Sequence, residues 1–338
     1  AILSYAWLDT PVSVFVTWLG PYIFNSIIII TGFNLFYSSP VTSTFKAIFL
    51  FAALLGLQNK FLDSGFEEAN EYLTVRLVQP NIKQRDKWKK ENELNHMEIL
   101  IDLSNASPKP DLIVWPETAV YWLPEENPEK LKVIAEQVKS PLIFGALRFN
   151  RDTKKLFNAI FLIDREGKIQ SIYDKTFLVP FGEYLPLGGF LKYFNIFNNS
   201  YRSVDGFSSG TGLKLIKNSG FPIFLPLICY EALFSNEILG VVKEARWILN
   251  ITNDAWFGNG GGPKQHLKIA RMRALENNIP LIRVSNNGIS AKISNNGKIE
   301  KHIALNKREF LDVELGLNIE RKSTLYTTIG KNISSYFH

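Results

Sequence analysis

One thiol is available to this chain for covalent chemistry. Cys229, the sole cysteine, ends the apolar run Phe221-Pro-Ile-Phe-Leu-Pro-Leu-Ile and is followed by Tyr230-Glu231. Two other short apolar runs also finish on a reactive side chain. Asp111-Leu-Ile-Val-Trp115-Pro116 delivers Glu117, and Tyr173-Asp174 delivers Lys175, with Val179-Pro-Phe-Gly-Glu183-Tyr184 close behind. A carboxylate can take the proton of a thiol, the thiolate can attack an acyl carbonyl, and an ammonium can stabilise the resulting oxyanion. Each residue alone has a plainer reading: a small buried hydrophobe for Cys229, a strand-end carboxylate for Glu117, a solvated turn residue for Lys175. Their conjunction, each at the end of a strand-like run, points to acyl transfer by a Glu-Lys-Cys set.

The elements that must position these side chains follow from hydrophobic spacing. Strands are predicted at residues 73–78, 112–115, 141–146, 157–163 and 169–173. Between them, Leu94, Met97, Leu100 and Ile101 fall at helical spacing, and Asn127-Pro128 opens a helix carrying Leu131, Ile134 and Val138. The alternation predicts an α/β fold, and the close strand pair about Arg165-Glu-Gly167 predicts that part of the sheet is antiparallel. Gly258-Asn-Gly-Gly-Gly262 lacks the ending of a phosphate-cradling loop and reads as a helix entry, with Leu267, Ala270, Met272 and Leu275 turned partly inward. Ser285-Asn-Asn-Gly288 and Ser294-Asn-Asn-Gly297 carry turn chemistry.

Apolar residues are concentrated at the start of the chain. Residues 10 to 45 carry no charge, and residues 12 to 36 are long and apolar enough to cross a bilayer, with aromatic ends. A second apolar run, residues 47 to 57, spans only if residues 41 to 45 join it and Lys46 snorkels. The first run lacks a basic leader and is too long for a signal-peptide core. The chain begins with Ala1, which reads as a fragment or processed product. Its formal charge of +6 suits an anionic membrane surface, while no basic run with interleaved aromatics suggests nucleic acid. His96, His266, His302 and His338 are scattered without metal-ligand spacing, so neither a metal nor a cofactor is expected.

Trp115-Pro-Glu117, Asp174-Lys175 and Cys229-Tyr-Glu231 resemble the nitrilase, or carbon-nitrogen hydrolase, superfamily. The closer likeness is to its membrane-bound branch, the apolipoprotein N-acyltransferases. It is carried by Val78-Gln79-Pro80-Asn81-Ile82, Leu178-Val-Pro-Phe-Gly-Glu183-Tyr-Leu-Pro186, Asn250-Ile-Thr-Asn-Asp254-Ala-Trp-Phe-Gly258, Gly262-Pro-Lys-Gln-His266, the stretch 269–277 and Arg283-Val-Ser-Asn-Asn-Gly288. These span roughly residues 73 to 330.

The resemblance implies a nitrilase-like α-β-β-α sandwich preceded by transmembrane helices. The expected layout is a membrane-spanning segment of about two helices over 1–62, a linker over 63–72, a catalytic domain over 73–320, and a tail over 321–338 leading towards a further span. In such a family Glu117 would be general base, Lys175 the oxyanion stabiliser and Cys229 the acyl carrier. Lys175 would also acidify the thiol, Glu183 would orient Lys175 or the incoming amine, and Tyr230, Glu231 and Trp88 would support them. The implied acyl donor is a membrane phospholipid, and the acceptor is the α-amino group of the lipid-modified cysteine that begins an apolipoprotein. The expected setting is a monomer in the bacterial inner membrane, multi-pass, with the catalytic domain on the periplasmic side. An aromatic stripe, Phe190, Tyr193, Phe194 and Phe197, has helical spacing and is expected to form a substrate or membrane arm, although core packing explains such a stripe equally well. The alternative is a membrane-tethered hydrolase using the same three residues on a small amide or nitrile.

Overall fold

The computed structural model describes residues 3–37, 39, 42, 44, 46, 70–87, 89–184, 206–218, 220–258, 260–317 and 322–334. Its architecture grows from two parallel strand trios. In the first, β1 (Tyr72–Gln79) pairs in parallel with β2 (Leu112–Val114), and β2 with β3 (Leu142–Asn150). Antiparallel strands flank them: β4 (Lys155–Ile163) and β5 (Ile169–Asp174) on one side and β12 (Glu309–Gly316) on the other, giving the order β12-β1-β2-β3-β4-β5. The second sheet repeats the scheme. Here β7 (Phe221–Ile228), β8 (Trp247–Thr252) and β9 (Leu281–Ser285) run parallel, flanked by β6 (Ile216–Asn218), β10 (Ser290–Ile293) and β11 (Ile299–Ile303).

The two sheets pack face to face through side chains alternating along each strand. Leu73, Val75 and Leu77 of β1 share one buried cluster with Phe224 and Ile228 of β7, Trp247, Leu249 and Ile251 of β8, and Ile282 and Val284 of β9. Burying each of these large side chains is worth about 1.5–3 kcal/mol. On the outer face of the first sheet, α2 (Glu93–Asn105) contributes Leu100, and α3 (Pro128–Val138) contributes Leu131, Ile134 and Val138. On the outer face of the second, Ile238 of α4 (Ser235–Val241) and Leu267, Ala270 and Ala274 of α5 (Gly262–Asn277) close the sandwich. The expected α-β-β-α layering is present, and the turn at Arg165-Glu-Gly167 joins the antiparallel pair β4 and β5.

Two helical expectations need correcting. Leu94, placed on the inward stripe of α2, is 78% exposed, because the sheet contacts the helix six residues further on, at Leu100. Helix α5 is covered on two sides: besides its expected apolar set, His266, Arg273, Glu276 and Asn277 are buried. The second cover comes from α1 (Val16–Tyr37) and α6 (Leu325–Ser334), both of which contact α5. Phe15, Val16 and Phe24 form one cluster with Met272 and Leu275 of α5.

The apolar stretch Val12–Asn34 is long and apolar enough to cross a membrane. It is not straight. A 3-10 turn, Pro11–Phe15, precedes α1, and Gly20 interrupts the helix at φ +69 just before Pro21, which has no N–H to give. Gly20 also lies against the Tyr326 ring of α6, so any β-carbon there would collide with it. Beyond this kink Ile23, Ile27, Ile29, Ile30 and Phe33 are exposed. The second apolar run, the linker at 63–68, Trp88 and the aromatic stripe Phe190, Tyr193, Phe194 and Phe197 lie outside the described residues.

Candidate active site

The three reactive side chains come together because each leaves the same end of a strand. β2 stops at Val114, since Pro116 cannot donate to a ladder, and the chain turns through Thr118 at φ +46. Glu117 is thereby left buried at the carboxyl end of the sheet. Lys175 follows β5 directly, its N–H donating to the carbonyl of Asn158 on β4 (2.8 Å), and it is 1% exposed. Cys229 follows β7 directly at φ +50 and opens a 3-10 turn, Cys229–Leu233. A left-handed nucleophile at a strand-to-helix turn points its side chain off the sheet edge, at a backbone conformation disfavoured for any residue with a β-carbon.

Glu117 collects three donors. Asn158 Nδ2 lies 2.7 Å and Lys175 Nζ 3.5 Å from its Oε1, and the Asn253 N–H lies 2.9 Å from Oε2. Lys175 Nζ donates in turn to Glu183 Oε1 at 2.8 Å, and Glu183 Oε2 accepts the Val179 N–H at 2.8 Å. The second glutamate therefore holds Lys175 by a direct hydrogen bond. Burial alone would push the Lys175 ammonium down, but the charges of Glu117 and Glu183, joined by Cys229 once it ionises, outweigh it and raise the group above the ordinary lysine range.

Burial dominates at the thiol. Burial, reinforced by the Glu117 charge, pushes Cys229 up to about 12, and the opposite pull of Lys175 does not compensate. An ammonium already shared between two carboxylates has little net field left for a third partner. Lys175 thus lowers the thiol only relative to a still higher value, and the resting sulfur is protonated. Such a nucleophile needs a base at the moment of attack, and Glu117 is the carboxylate beside it.

Glu231 is fully buried and braces the two halves of the site. Its Oε1 accepts from the Tyr173 hydroxyl (2.7 Å) and the Thr176 N–H (2.6 Å), while Oε2 accepts the Ile228 N–H (2.7 Å). One carboxylate so ties the residue before Cys229 to the residue after Lys175. Burial pushes this carboxyl up to about 7. Tyr230 packs edge-on against Phe234, which stacks on Phe177.

Other participants carry no role in the sequence reading. Asn158 bonds both Glu117 and Glu183. Lys87, 2% exposed, donates to the Glu117 carbonyl at 3.0 Å, and burial lowers its ammonium to about 8. His266 donates from Nε2 to the Cys229 carbonyl at 3.1 Å, and its Nδ1 lies 2.9 Å from Asp254 Oδ1. A signal existed for one of these: Asn158 is a polar residue interrupting an apolar strand, and a polar group there must find a buried partner. Lys87 sits in a charged run, Lys87-Trp-Lys-Lys90, and nothing local distinguishes it from a solvated lysine. Among the described residues no cluster of three His, Cys, Asp or Glu side chains is arranged to hold a metal ion.

This chain belongs to the carbon-nitrogen hydrolase family, whose pattern it matches over residues 74–319. It is similar to the apolipoprotein N-acyltransferase of Brucella suis biovar 1, with 39% identity over 70% of this chain and 47% of that one. It is also similar to the apolipoprotein N-acyltransferase of Rhizobium etli, with 38% identity over 80% of this chain and 54% of that one. The chain thus spans about half the length of the curated relatives it matches. Among solved structures, an amidase from Nesterenkonia sp. superposes with a TM-score of 0.56 at 15% identity, covering 81% of this chain and 100% of that one. A branch 10 member of the nitrilase superfamily from Saccharomyces cerevisiae gives a TM-score of 0.55 at 18% identity, covering 75% and 93%. At these identities the structural likeness establishes the fold.

Proposed function

We propose that the chain is an N-acyltransferase of lipoprotein maturation, moving an acyl chain from a membrane phospholipid through a Cys229 thioester to the α-amino group of the lipid-modified cysteine of an apolipoprotein. The observation that carries this reading is the packing of α1, an apolar helix fit to cross a bilayer, against α5, the helix whose His266 touches the Cys229 carbonyl. Likeness to apolipoprotein N-acyltransferases at 38–39% identity supports it.

In the first half-reaction Glu117 takes the thiol proton and the sulfur bonds to the ester carbonyl carbon. The oxyanion is met by Lys175 and the Tyr230 N–H. Collapse breaks the carbon–oxygen bond, and the proton on Glu117 passes to the departing lysophospholipid oxygen. In the second, the amine attacks the thioester and yields its proton to Glu117. The carbon–sulfur bond then breaks and the thiolate recovers the proton. Glu183 keeps Lys175 in place throughout.

Intact mass after incubation with phosphatidylethanolamine vesicles tests this. An increment of one acyl chain, removed by hydroxylamine and absent from Cys229→Ala, is expected. Ammonia release from small amides with no lipid-derived adduct would favour the hydrolase reading, which the amidase-like fold also suits.

We further propose that α1 and the apolar run beyond it anchor the domain on the periplasmic face of the inner membrane. Lys46 is the sole charge between the two apolar runs, which suits a cytoplasmic connection. Labelling of Glu71→Cys on the Cys229→Ala background by an impermeant reagent in spheroplasts is expected, and protection there would reverse the orientation.

A further inference from the structure

Two words of the sequence are used above only through the Asn253 N–H: Asn250-Ile-Thr-Asn-Asp254 and Arg283-Val-Ser-Asn-Asn-Gly288. Both end beneath the nucleophile. Asp254 and Arg283 are fully buried and His266 nearly so. Arg283 Nη2 lies 3.0 and 2.8 Å from the two oxygens of Asp254, its Nη1 bonds Asn250 Oδ1, and the Ser285 hydroxyl donates to Asp254 Oδ2 at 3.3 Å. Gly288 passes so close that any β-carbon would strike Asp254 Oδ2. Burial would raise the Asp254 carboxyl, but Arg283 and His266 outweigh it and hold it well below the usual range. Asp254 in turn anchors His266 Nδ1 at 2.9 Å, and the ring edge-packs on Phe257.

The free end of this assembly is His266 Nε2, 3.1 Å from the Cys229 carbonyl. A carbonyl can only accept, so Nε2 donates to it, and Nδ1, set against the acceptor Asp254 Oδ1, donates there from a proton of its own. The bond is to the peptide oxygen, and base duty stays with Glu117. A trans peptide is planar, its C=O and N–H pointing in opposite directions. Fixing the Cys229 carbonyl therefore fixes the direction of the Tyr230 N–H. Tyr230 is the second residue of the 3-10 turn Cys229–Leu233, where an N–H has no acceptor inside the turn.

We infer that His266, held by Asp254 and Arg283, is a positioning residue that sets the plane of the Cys229–Tyr230 peptide and so aims the Tyr230 N–H at the oxyanion. This rests on the reading of Cys229 as the acyl carrier. It explains why a left-handed, disfavoured Cys229 persists: the buried pair Asp254–Arg283 behind His266 gives the carbonyl a side-chain partner held in one direction.

The test separates a step that builds an oxyanion from one that does not. The full chain in detergent micelles is acylated with p-nitrophenyl butyrate and, separately, alkylated with iodoacetamide, both read by intact mass. His266→Leu is expected to slow acylation about 10²–10³-fold, as for one lost oxyanion donor, while alkylation changes less than about threefold. His266→Gln, which offers an N–H at similar reach, should recover most of the acylation. Parallel loss of both reactions, unchanged acylation in His266→Leu, or no recovery in His266→Gln would overturn the assignment. Because the ester is not a lipid, a protein that is acylated by it yet not by phosphatidylethanolamine vesicles loses the lipid reading and keeps this one. A wild-type Cys229 that takes no acyl group from either ends both.

Discussion

The ends of β2 and β7 are built alike and serve opposite needs. Each apolar strand runs out into a left-handed residue, Thr118 after Glu117 in one case and Cys229 itself in the other. In each, a buried side chain from a distant segment pins a carbonyl: Lys87 on Glu117, His266 on Cys229. The difference lies in what surrounds the reactive atoms. The Glu117 carboxylate is met by an amide, an ammonium and a backbone N–H, whereas burial and the neighbouring carboxylate dominate at the thiol. One strand end is arranged to hold a charge, the other to withhold one until a substrate arrives. Lys175 belongs to the first end, clasped by Glu117 and Glu183, and its pull on the second does not overcome burial there.

Breaking the nucleophile's end has the largest expected effect. Cys229→Ala should fold as the wild type and form no hydroxylamine-labile adduct, and an adduct surviving in that variant would move the acyl carrier elsewhere. Glu117→Gln and Lys175→Met come next, each expected to slow acylation by about 10²–10⁴-fold as a lost base or oxyanion stabiliser does. Near-normal thioester formation in either variant, measured by stopped flow, would remove it from its assigned role.

The comparison sharpens with pH. A thiol with a pKa of about 12 gains thiolate throughout the accessible range, so its alkylation by iodoacetamide should rise with pH and show no plateau near neutrality. Lys175→Met removes a charge that favours the thiolate and should slow alkylation further at every pH. A plateau below pH 8 in the wild type would mean a preformed thiolate and reverse the contrast between the two ends.

The smallest effect concerns the brace between them. Glu231→Gln places an amide nitrogen against a backbone donor at Ile228 or Thr176, a mismatch worth about 1–3 kcal/mol in thermal or urea unfolding. The Glu231 carboxyl titrates at about 7 when folded against an ordinary 4.5, so the folded state binds its proton more tightly. Its contribution to stability is present below pH 4.5 and lost as pH rises through about 7. The advantage of wild type over Glu231→Gln should shrink across that window, and an advantage growing with pH would refute the burial-driven shift.

Much of the fold was legible because its signals are local. Apolar runs bounded by Gly, Pro and Asn marked β1 to β5, Asn127-Pro128 marked the start of α3, and the reactive residues stood at strand ends where runs of one kind of side chain stop. Leu94 misled because helical spacing defines a stripe without saying which turn of it meets the sheet. The kink at Gly20 was also written in the chain, as Gly-Pro inside an apolar span, yet its cause includes the Tyr326 ring more than 300 residues away.

The sequence by itself determined which atoms could react: one thiol, and a carboxylate and an ammonium each at the mouth of a strand. Tertiary structure alone decided how they react. The thiol's resistance to ionisation is a sum of burial and several charges brought from β2, β5 and β8, and no local pattern contains that sum. The hold on the Cys229 carbonyl is likewise a meeting of residues 37 positions apart, His266 and Cys229. Covalent neighbours fix what a side chain is, while the dielectric and the partners around it, which set its proton affinity and direction, exist only once the two sheets have closed.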